Sequence, residues 1–252
     1  MIRSEVDALR AAMVRAPLDP AWAPFEAAML VRTAARPGIC RSPGTRPTVH
    51  HPRSERWADE SGLLAEFDTD AAARRLLSTL AAVAPSAAVE SGYQGGRHRY
   101  EIHRVTVPRE ASGPVQEVLA RSASAGAAAL RSSGTTPTVA GRRRRELVIA
   151  AAAWRAALLA VGPGRGGPDG LAVRVGDPWS AGTLLRAADL LQVPVRAVRR
   201  PGGQLLTVDG RTALAALISV VTGNGVVAGG VSSGAVTGGT GAPVTARVGL
   251  AG

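Results

Sequence analysis

At 252 residues, with 46% of them hydrophobic but only four Trp, two Tyr and two Phe, the chain can bury an aliphatic, alanine-rich core as one large domain or two small ones. Its formal charge of +11 comes from 30 arginines and no lysine, which favours an anionic partner such as nucleic acid, although a GC-rich coding bias would also raise the arginine count. One cysteine, Cys40, excludes an intramolecular disulfide, and the N-terminus lacks the apolar segment of a signal peptide, so we expect a cytoplasmic protein.

Hydrophobic spacing and proline boundaries predict the elements of the first half. They are helices at 4–15 and 24–35, a loop at 36–61, a strand at 63–67, a helix ending near 83, strands at 87–90 and 98–107, and a helix at 114–123. Asp68-Thr69 offers an N-terminal cap for the third helix, and Pro85 closes it. Residues 124–142, rich in Gly, Ser, Thr and Pro, predict a linker.

The second half opens with an apolar, alanine-rich helix at 146–162 that only Arg155 interrupts. A helix that is apolar on all sides belongs in a core, and this one is too short for a membrane span. We therefore expect no membrane association. Because small residues let helix backbones approach closely, we expect this helix to pack against the helix at 24–35.

The order of elements then repeats. After a Gly/Pro loop come a strand at 171–175, a helix at 180–193, strands at 195–198 and 204–208, and a helix at 212–221. The Gly-rich residues after 223 predict a disordered or weakly strand-like tail.

Three matching features indicate a duplication. Asp68 and Asp177 each precede a helix and lie 109 residues apart. Pro85 and Pro194 each end that helix and are also 109 residues apart. Paired glycines, at 95–96 and at 202–203, are placed to turn the last hairpin of each half. The prediction is an α+β chain with one half at 1–123, a linker at 124–142, a second half at 143–223 and a tail at 224–252. Because the halves already pair within one chain, we expect a monomer.

Repeated α-β-β-α-β-β-α units that pair through their first helices resemble the LAGLIDADG homing-endonuclease fold. The chain more specifically resembles the WhiA family of bacterial sporulation and cell-division regulators. The matching segments are SEV at 4–6, AEFDTDAAARRL at 65–76, RHRY at 97–100 and AWRAALLAVG at 153–162. Members of the family continue into a C-terminal helix-turn-helix domain, where this chain has its Gly-rich tail. That departure argues against sequence-specific promoter recognition.

A LAGLIDADG nuclease needs an acidic residue at the end of each central helix, because paired carboxylates hold the divalent metal. Here the two helices end in TAARPG and AVGPG, and the nearest acid after the second is Asp169. The resemblance also implies loss of cleavage. We therefore predict no catalytic residues, no metal and no cofactor.

Other residues that could carry chemistry have simpler explanations. Cys40, His50 and His51 fit no zinc spacing and predict a surface loop. Asp68 and Asp177 occupy matching places, but helix capping explains both more readily than a catalytic dyad.

The candidate DNA contacts are arginines on or near the predicted strands and the second central helix. Residues 1–140 hold 17 Arg against 14 acids, whereas residues 141–252 hold 13 Arg against 5 acids, so the excess lies in the second half. In the resembled fold the open sheet face forms a saddle over DNA. The candidates are Arg97, Arg99, Arg142, Arg143, Arg144, Arg145, Arg174, Arg196, Arg199 and Arg200. The alternatives are a solvated sheet face in an arginine-biased protein and, for residues 142–145, a solvated linker.

Together these observations predict a non-catalytic DNA-binding regulator associated with the nucleoid. The resemblance implies control of transcription in sporulation, cell division and chromosome segregation, and as partners a WhiB-type iron–sulfur regulator and RNA polymerase. Two rival interpretations remain open. One is a protein-interaction scaffold that has lost DNA binding, and the other is a nuclease that uses an unconventional acid such as Asp169.

Overall fold

The structure is a computed structural model that describes residues 3–34, 61–94, 99–131, 140–161, 164–165 and 170–223. Its first half contains α1 (Arg3–Arg15), α2 (Ala23–Thr33), β1 (Ser61–Phe67), α3 (Asp70–Leu80), β2 (Ala88–Gln94), β3 (Tyr100–Pro108) and α4 (Arg109–Arg131). Its second half contains α5 (Ala140–Val161), β4 (Gly164–Arg165), β5 (Leu171–Val175), α6 (Pro178–Leu191), β6 (Val195–Arg200), β7 (Gly203–Val208) and α7 (Arg211–Val221). None of the helices in these ranges is long and apolar enough to cross a membrane.

Two antiparallel sheets repeat one strand order. The first sheet is ordered β1-β3-β2, and the second is ordered β4-β5-β7-β6, so β5, β7 and β6 correspond to β1, β3 and β2. Each half adds a helix between its first and second main strands and another after its last strand. The predicted duplicated α+β fold is therefore confirmed.

The helix caps refine the offset between the halves. Asp177 occupies the N-cap of α6 and accepts hydrogen bonds from the backbone N–H groups of Trp179 and Ser180, as predicted. In the first half the N-cap of α3 is Thr69, whose side chain makes no capping bond. Of the predicted cap Asp68-Thr69, Thr69 is therefore the N-cap residue, the expectation that Asp68 itself caps the helix is wrong, and the matching N-cap positions are 108 residues apart.

The helix α5 is the centre of the core. Every side chain from Ile149 to Ala160 is buried, and α5 packs along α2 and α6. The alanines allow this close approach, and the indole N–H of Trp154 donates to the carbonyl of Leu184 at 3.0 Å. The predicted pairing of the two central helices is confirmed.

The prediction of an irregular linker at 124–142 is wrong at both of its ends. Residues 124–131 belong to α4 and residues 140–142 to α5, because alanine-rich sequence forms helix readily even with interspersed Ser and Gly. Gly126 lies where α4 crosses α2, and an added Cβ would come 2.1 Å from the Cδ2 atom of Phe25. The glycine is therefore a packing residue. The expected tail at 224–252 and the loop at 36–61 fall, apart from residue 61, outside the described residues.

A buried triad of charges joins the two halves. Glu26 of α2 accepts from Arg75 of α3 at 2.6 and 3.1 Å and from Arg155 of α5 at 2.9 and 2.8 Å. All three side chains are at most 6% exposed. The Nη1 group of Arg75 donates to the backbone carbonyls of Val14 and Ala16. The Nη1 group of Arg155 donates to the backbone carbonyl of Val221.

The pKa of Glu26 reflects two opposed effects. Burial by itself would raise this pKa, but hydrogen bonds and charge attraction from the two guanidinium groups outweigh it and hold the pKa below its ordinary value. Arg155, the interruption in an otherwise apolar helix, thus carries a buried ionic contact between the two halves.

Candidate nucleic-acid interface

The open face of the second sheet carries three of the candidate arginines. Val173 of β5 lies opposite Leu206 of β7, and both are buried toward the helices. Side chains alternate along a strand, so the residues between these buried positions point away from the helices. They include Arg174, paired with Leu205, Arg196, paired with Thr207, and Arg200, paired with Gly203, which lie in three different rows of the same face. We call this surface, defined by Arg174, Arg196 and Arg200, the basic face.

The three arginines differ in whether they already bind other groups of the protein. Arg174 donates from Nη2 to the carbonyl of Pro201 and so supports the β6–β7 turn, where Gly202 has a φ of 78°. Arg196 approaches Asp209 at 3.7 Å, but their side chains are 75% and 51% exposed, so the attraction is weak. Arg200 is exposed and makes no hydrogen bond or ion pair with any described residue. Two of the three guanidinium groups are therefore available to an anion.

Arg199 lies next to these residues in sequence but not on the same face. It pairs with Gln204, whose side chain lies on the same face of the sheet as those of Leu206 and Val208. Because β6 is an edge strand, Arg199 is nevertheless exposed. The structure thus separates Arg199 from the two arginines that flank it on the basic face.

The first sheet does not repeat the basic face. With Val105 matched to Leu206, its corresponding open row is Glu66, Arg104 and Glu90. Arg104 binds Glu66 at 2.8 Å, and the row holds two acids against one base. Arg174 is therefore matched by Glu66 in the other half, and the positive charge is confined to the second sheet.

The arginines predicted near the β2–β3 hairpin do not join this row. Arg99 is exposed and immediately precedes β3, and alternation gives it the side of His103 and Val105, which face the helices. His103 is buried there, with its Nδ1 atom 2.9 Å from the hydroxyl of Ser91. Arg97 lies outside the described residues.

The basic run Arg142, Arg143, Arg144 and Arg145 lies in the first turns of α5 rather than in a linker before it. Arg142 pairs with Glu146 one turn on, at 3.1 Å. Arg143 donates to the backbone carbonyl of Leu190 at the C-terminal end of α6, where the negative end of the helix dipole attracts a cation. At least these two members therefore have structural contacts.

The ends of the central helices contain no carboxylate in their last described turns. Those turns are Leu30 to Thr33 in α2 and Leu158 to Val161 in α5. Arg32 stands in the last turn of α2 and binds Asp177 at 3.2 Å. Burial acts to raise the pKa of Asp177, but hydrogen bonds from Ser180 and Trp179 and the charge of Arg32 hold this pKa below its ordinary value.

Among the described residues, no three His, Cys, Asp or Glu side chains gather as a metal site would require. The sequence candidates Cys40, His50, His51 and Asp169 lie outside those residues. Asp68 and Asp177 are not matched cap residues, as shown above.

Solved structures resemble this fold, among them the two that follow, whereas no protein-family model and no curated protein matches the sequence. Full-length DUF199/WhiA from Thermatoga maritima aligns with 12% identity and a TM-score of 0.50, over 85% of this chain and 60% of that one. The N-terminal LAGLIDADG domain of DUF199/WhiA aligns with 11% identity and a TM-score of 0.49, over 88% and 91% of the two chains. The likeness to full-length WhiA confirms the WhiA-type fold that the sequence resemblance predicted, and this chain spans about 60% of the length of that protein.

Proposed function

We propose that this chain is a non-catalytic protein that binds the phosphate backbone of double-stranded DNA through the basic face of its second sheet. The observation that carries the proposal is the placement of Arg174, Arg196 and Arg200 on one open face whose own strands contribute no acid. Guanidinium groups match phosphate geometry and can bind it in a bidentate way. The first sheet, with two acids against one base on its open row, would contribute little to binding.

Absence of cleavage is part of the proposal. A two-carboxylate metal site at the ends of α2 and α5 would need Asp or Glu there, and the described last turns have none. Supercoiled plasmid incubated with the protein and Mg²⁺ should therefore stay intact. Nicking that depends on Mg²⁺ and on Asp169 would overturn this part.

The cellular role is proposed on the resemblance to WhiA. It comprises control of transcription in sporulation, cell division and chromosome segregation, by a monomer at the nucleoid. The proposed partners are a WhiB-type regulator and RNA polymerase. The WhiA-type fold supports the family assignment, whereas the role and the partners rest on the sequence segments that match the family.

The sharpest test compares arginines that are neighbours in sequence but lie on opposite faces. Arg196→Ala combined with Arg200→Ala removes two charges from the basic face, and Arg199→Ala removes one from the other face. Arg174 is kept because it supports the β6–β7 turn. DNA affinity would be measured by gel shift between about 50 and 200 mM salt, where phosphate contacts weaken most clearly.

The double variant should bind DNA more weakly, and the slope of log K against log salt should become shallower by about 1.8, since each phosphate contact contributes roughly 0.9. Arg199→Ala should leave that slope close to that of the unmodified protein. A change in slope for Arg199→Ala that is half of the change for the double variant, and so equal per charge removed, would show that total charge, and not the basic face, determines binding. No binding by the unmodified protein at about 50 mM salt would refute the proposed function itself.

A further inference from the structure

A small cavity lies away from the basic face, between the C-terminal part of α4 and the N-terminal part of α6. Its volume is about 210 Å³. Leu130, Pro178 and Trp179 contribute apolar walls, and Arg131 and Arg186 lie at its margin. We call this feature the α4–α6 groove.

The size and lining of the groove limit what it can hold. Pockets for drug-sized molecules and cofactors usually measure about 300–1,000 Å³, which is larger than this cavity. On α6 the lining residues Trp179, Gly182 and Arg186 recur at helical spacing and form one stripe. A cavity of this size between two helices suits a single apolar side chain of a peptide better than an entire cofactor.

The charge beside the groove is positive. Arg131 and Arg186 are exposed, and neither makes an ion pair with a described residue. Asp177 is the carboxylate beside this end of α6, and it already binds Arg32 and the N-terminal N–H groups of the helix. The guanidinium carbon of Arg32 also lies 4.4 Å from the ring centre of Trp179 and fixes that wall of the groove.

We propose that the α4–α6 groove binds an acidic, amphipathic segment of a protein partner. One apolar side chain of that segment occupies the cavity, and carboxylates about one helical turn away pair with Arg131 and Arg186. A DNA backbone fits the site less well, because phosphates would meet the two arginines but leave the apolar cavity unfilled. The mode is that of an amphipathic segment seated in a groove.

Gly182 gives a direct way to close the groove. A Cβ atom added there would meet no atom within 4 Å in the part of the chain that the structure describes. Gly182→Phe therefore fills the cavity without a clash at its Cβ, and Gly182→Ala is the matched control. Circular dichroism and gel filtration would show that both variants remain folded.

The probe is a set of fluorescein-labelled 12-residue peptides, each with Leu, Ile, Phe or Trp at one position and Glu three and four positions later. Binding would be followed by fluorescence polarisation against the full chain. At least one peptide should bind, and its affinity should fall tenfold or more with Gly182→Phe but by less than twofold with Gly182→Ala. Binding by none of the peptides, or equal binding by both variants, would overturn the proposal.

Charge provides the second arm of the experiment. Arg131→Glu combined with Arg186→Glu should lower the affinity for the peptide tenfold or more. Arg121→Glu, elsewhere on α4, should leave this affinity unchanged. The same peptide with Lys in place of Glu should bind the unmodified protein at least tenfold more weakly. If the double variant instead loses duplex DNA and keeps the peptide, the groove arginines belong to the DNA interface and the proposal fails. Variants of the basic face should not change peptide affinity, so the two functions fail separately.

Discussion

The buried triad gives a quantitative prediction for the substitution Glu26→Gln. The glutamine keeps the size of the side chain but replaces one carboxylate oxygen by an NH₂ group. If that group takes the place of Oε2, it meets the Nη2 donors of Arg75 and Arg155, which now bind that oxygen at 3.1 and 2.8 Å. Two charge-assisted hydrogen bonds are then lost, and two guanidinium groups stay buried without a counterion.

The magnitude follows from two independent considerations. A hydrogen bond to a charged group contributes about 1.5–3 kcal/mol, and two are lost here. Breaking a buried ion pair by removing one partner costs about 3–5 kcal/mol. Backbone carbonyls still accept hydrogen bonds from the Nη1 groups of both arginines. We therefore use the range for breaking a buried ion pair, which is lower than the sum of the two lost hydrogen bonds. We expect Glu26→Gln to reduce the free energy of unfolding by about 3–5 kcal/mol.

Urea denaturation followed by tryptophan fluorescence would measure this loss, since Trp154 is buried beside the same interface. For a chain of this size each kcal/mol corresponds to roughly 2–4 °C in Tm. The matched control is Glu117→Gln, because Glu117 and its partner Arg121 are about 70% exposed and 3.8 Å apart. The control should change stability by no more than about 0.5 kcal/mol.

The dependence of stability on pH provides a second readout of the same triad. The pKa of Glu26 is lowered in the folded state, so its contribution to stability is complete above the ordinary glutamate pKa of about 4.3. It is lost as the pH falls through the lowered folded-state pKa. The unmodified protein should therefore lose more stability on acidification than Glu26→Gln. Equal stability of Glu26→Gln and Glu117→Gln at neutral pH, with parallel acid curves, would refute this account of the interface.

Two further substitutions test the helices around the core. Gly126→Ala should destabilise the protein by about 1–3 kcal/mol in urea denaturation, because its Cβ would press on the ring of Phe25, whereas Gly182→Ala, in open space, should be neutral or stabilising. Asp177→Ala should lower the free energy of unfolding by about 0.5–2 kcal/mol by uncapping α6. Because the pKa of Asp177 is lowered in the folded state, a loss that stays unchanged as the pH falls through this lowered pKa would contradict that cause.

The elements were predictable because their signals are local. Apolar spacing, prolines and the paired glycines at 202–203 lie within a few residues of the helix or turn that they specify, and the β6–β7 hairpin follows directly from them, whereas the pair at 95–96 lies outside the described residues. The prediction of a linker at 124–142 is wrong for the same reason. Gly126 looks like a loop residue in sequence, and only the crossing with Phe25 of α2 shows why a helix needs it there.

The contacts between distant residues were not predictable in this way. Glu26 is 49 residues from Arg75 and 129 from Arg155, and nothing local indicates that they meet. An arginine on an apolar, alanine-rich helix was the single available signal, and it indicates that a buried acid must exist without naming it. For the candidate interface, sequence identified the arginines of the last hairpin, but the pairing register was needed to separate Arg199 from Arg196 and Arg200.

The opposite charges at Glu66 and Arg174 mean that the two-fold repeat of the backbone is not a two-fold repeat of the electric field. Under the proposed function, a polyanion approaching the molecule would be attracted by the second sheet and would meet a row of two acids and one base on the first, so its orientation would be selected before contact. Symmetric dimers read inverted repeats because their two surfaces are identical. A duplicated chain whose halves have diverged in charge has no such requirement, so under the proposed function the DNA that it binds need not be palindromic.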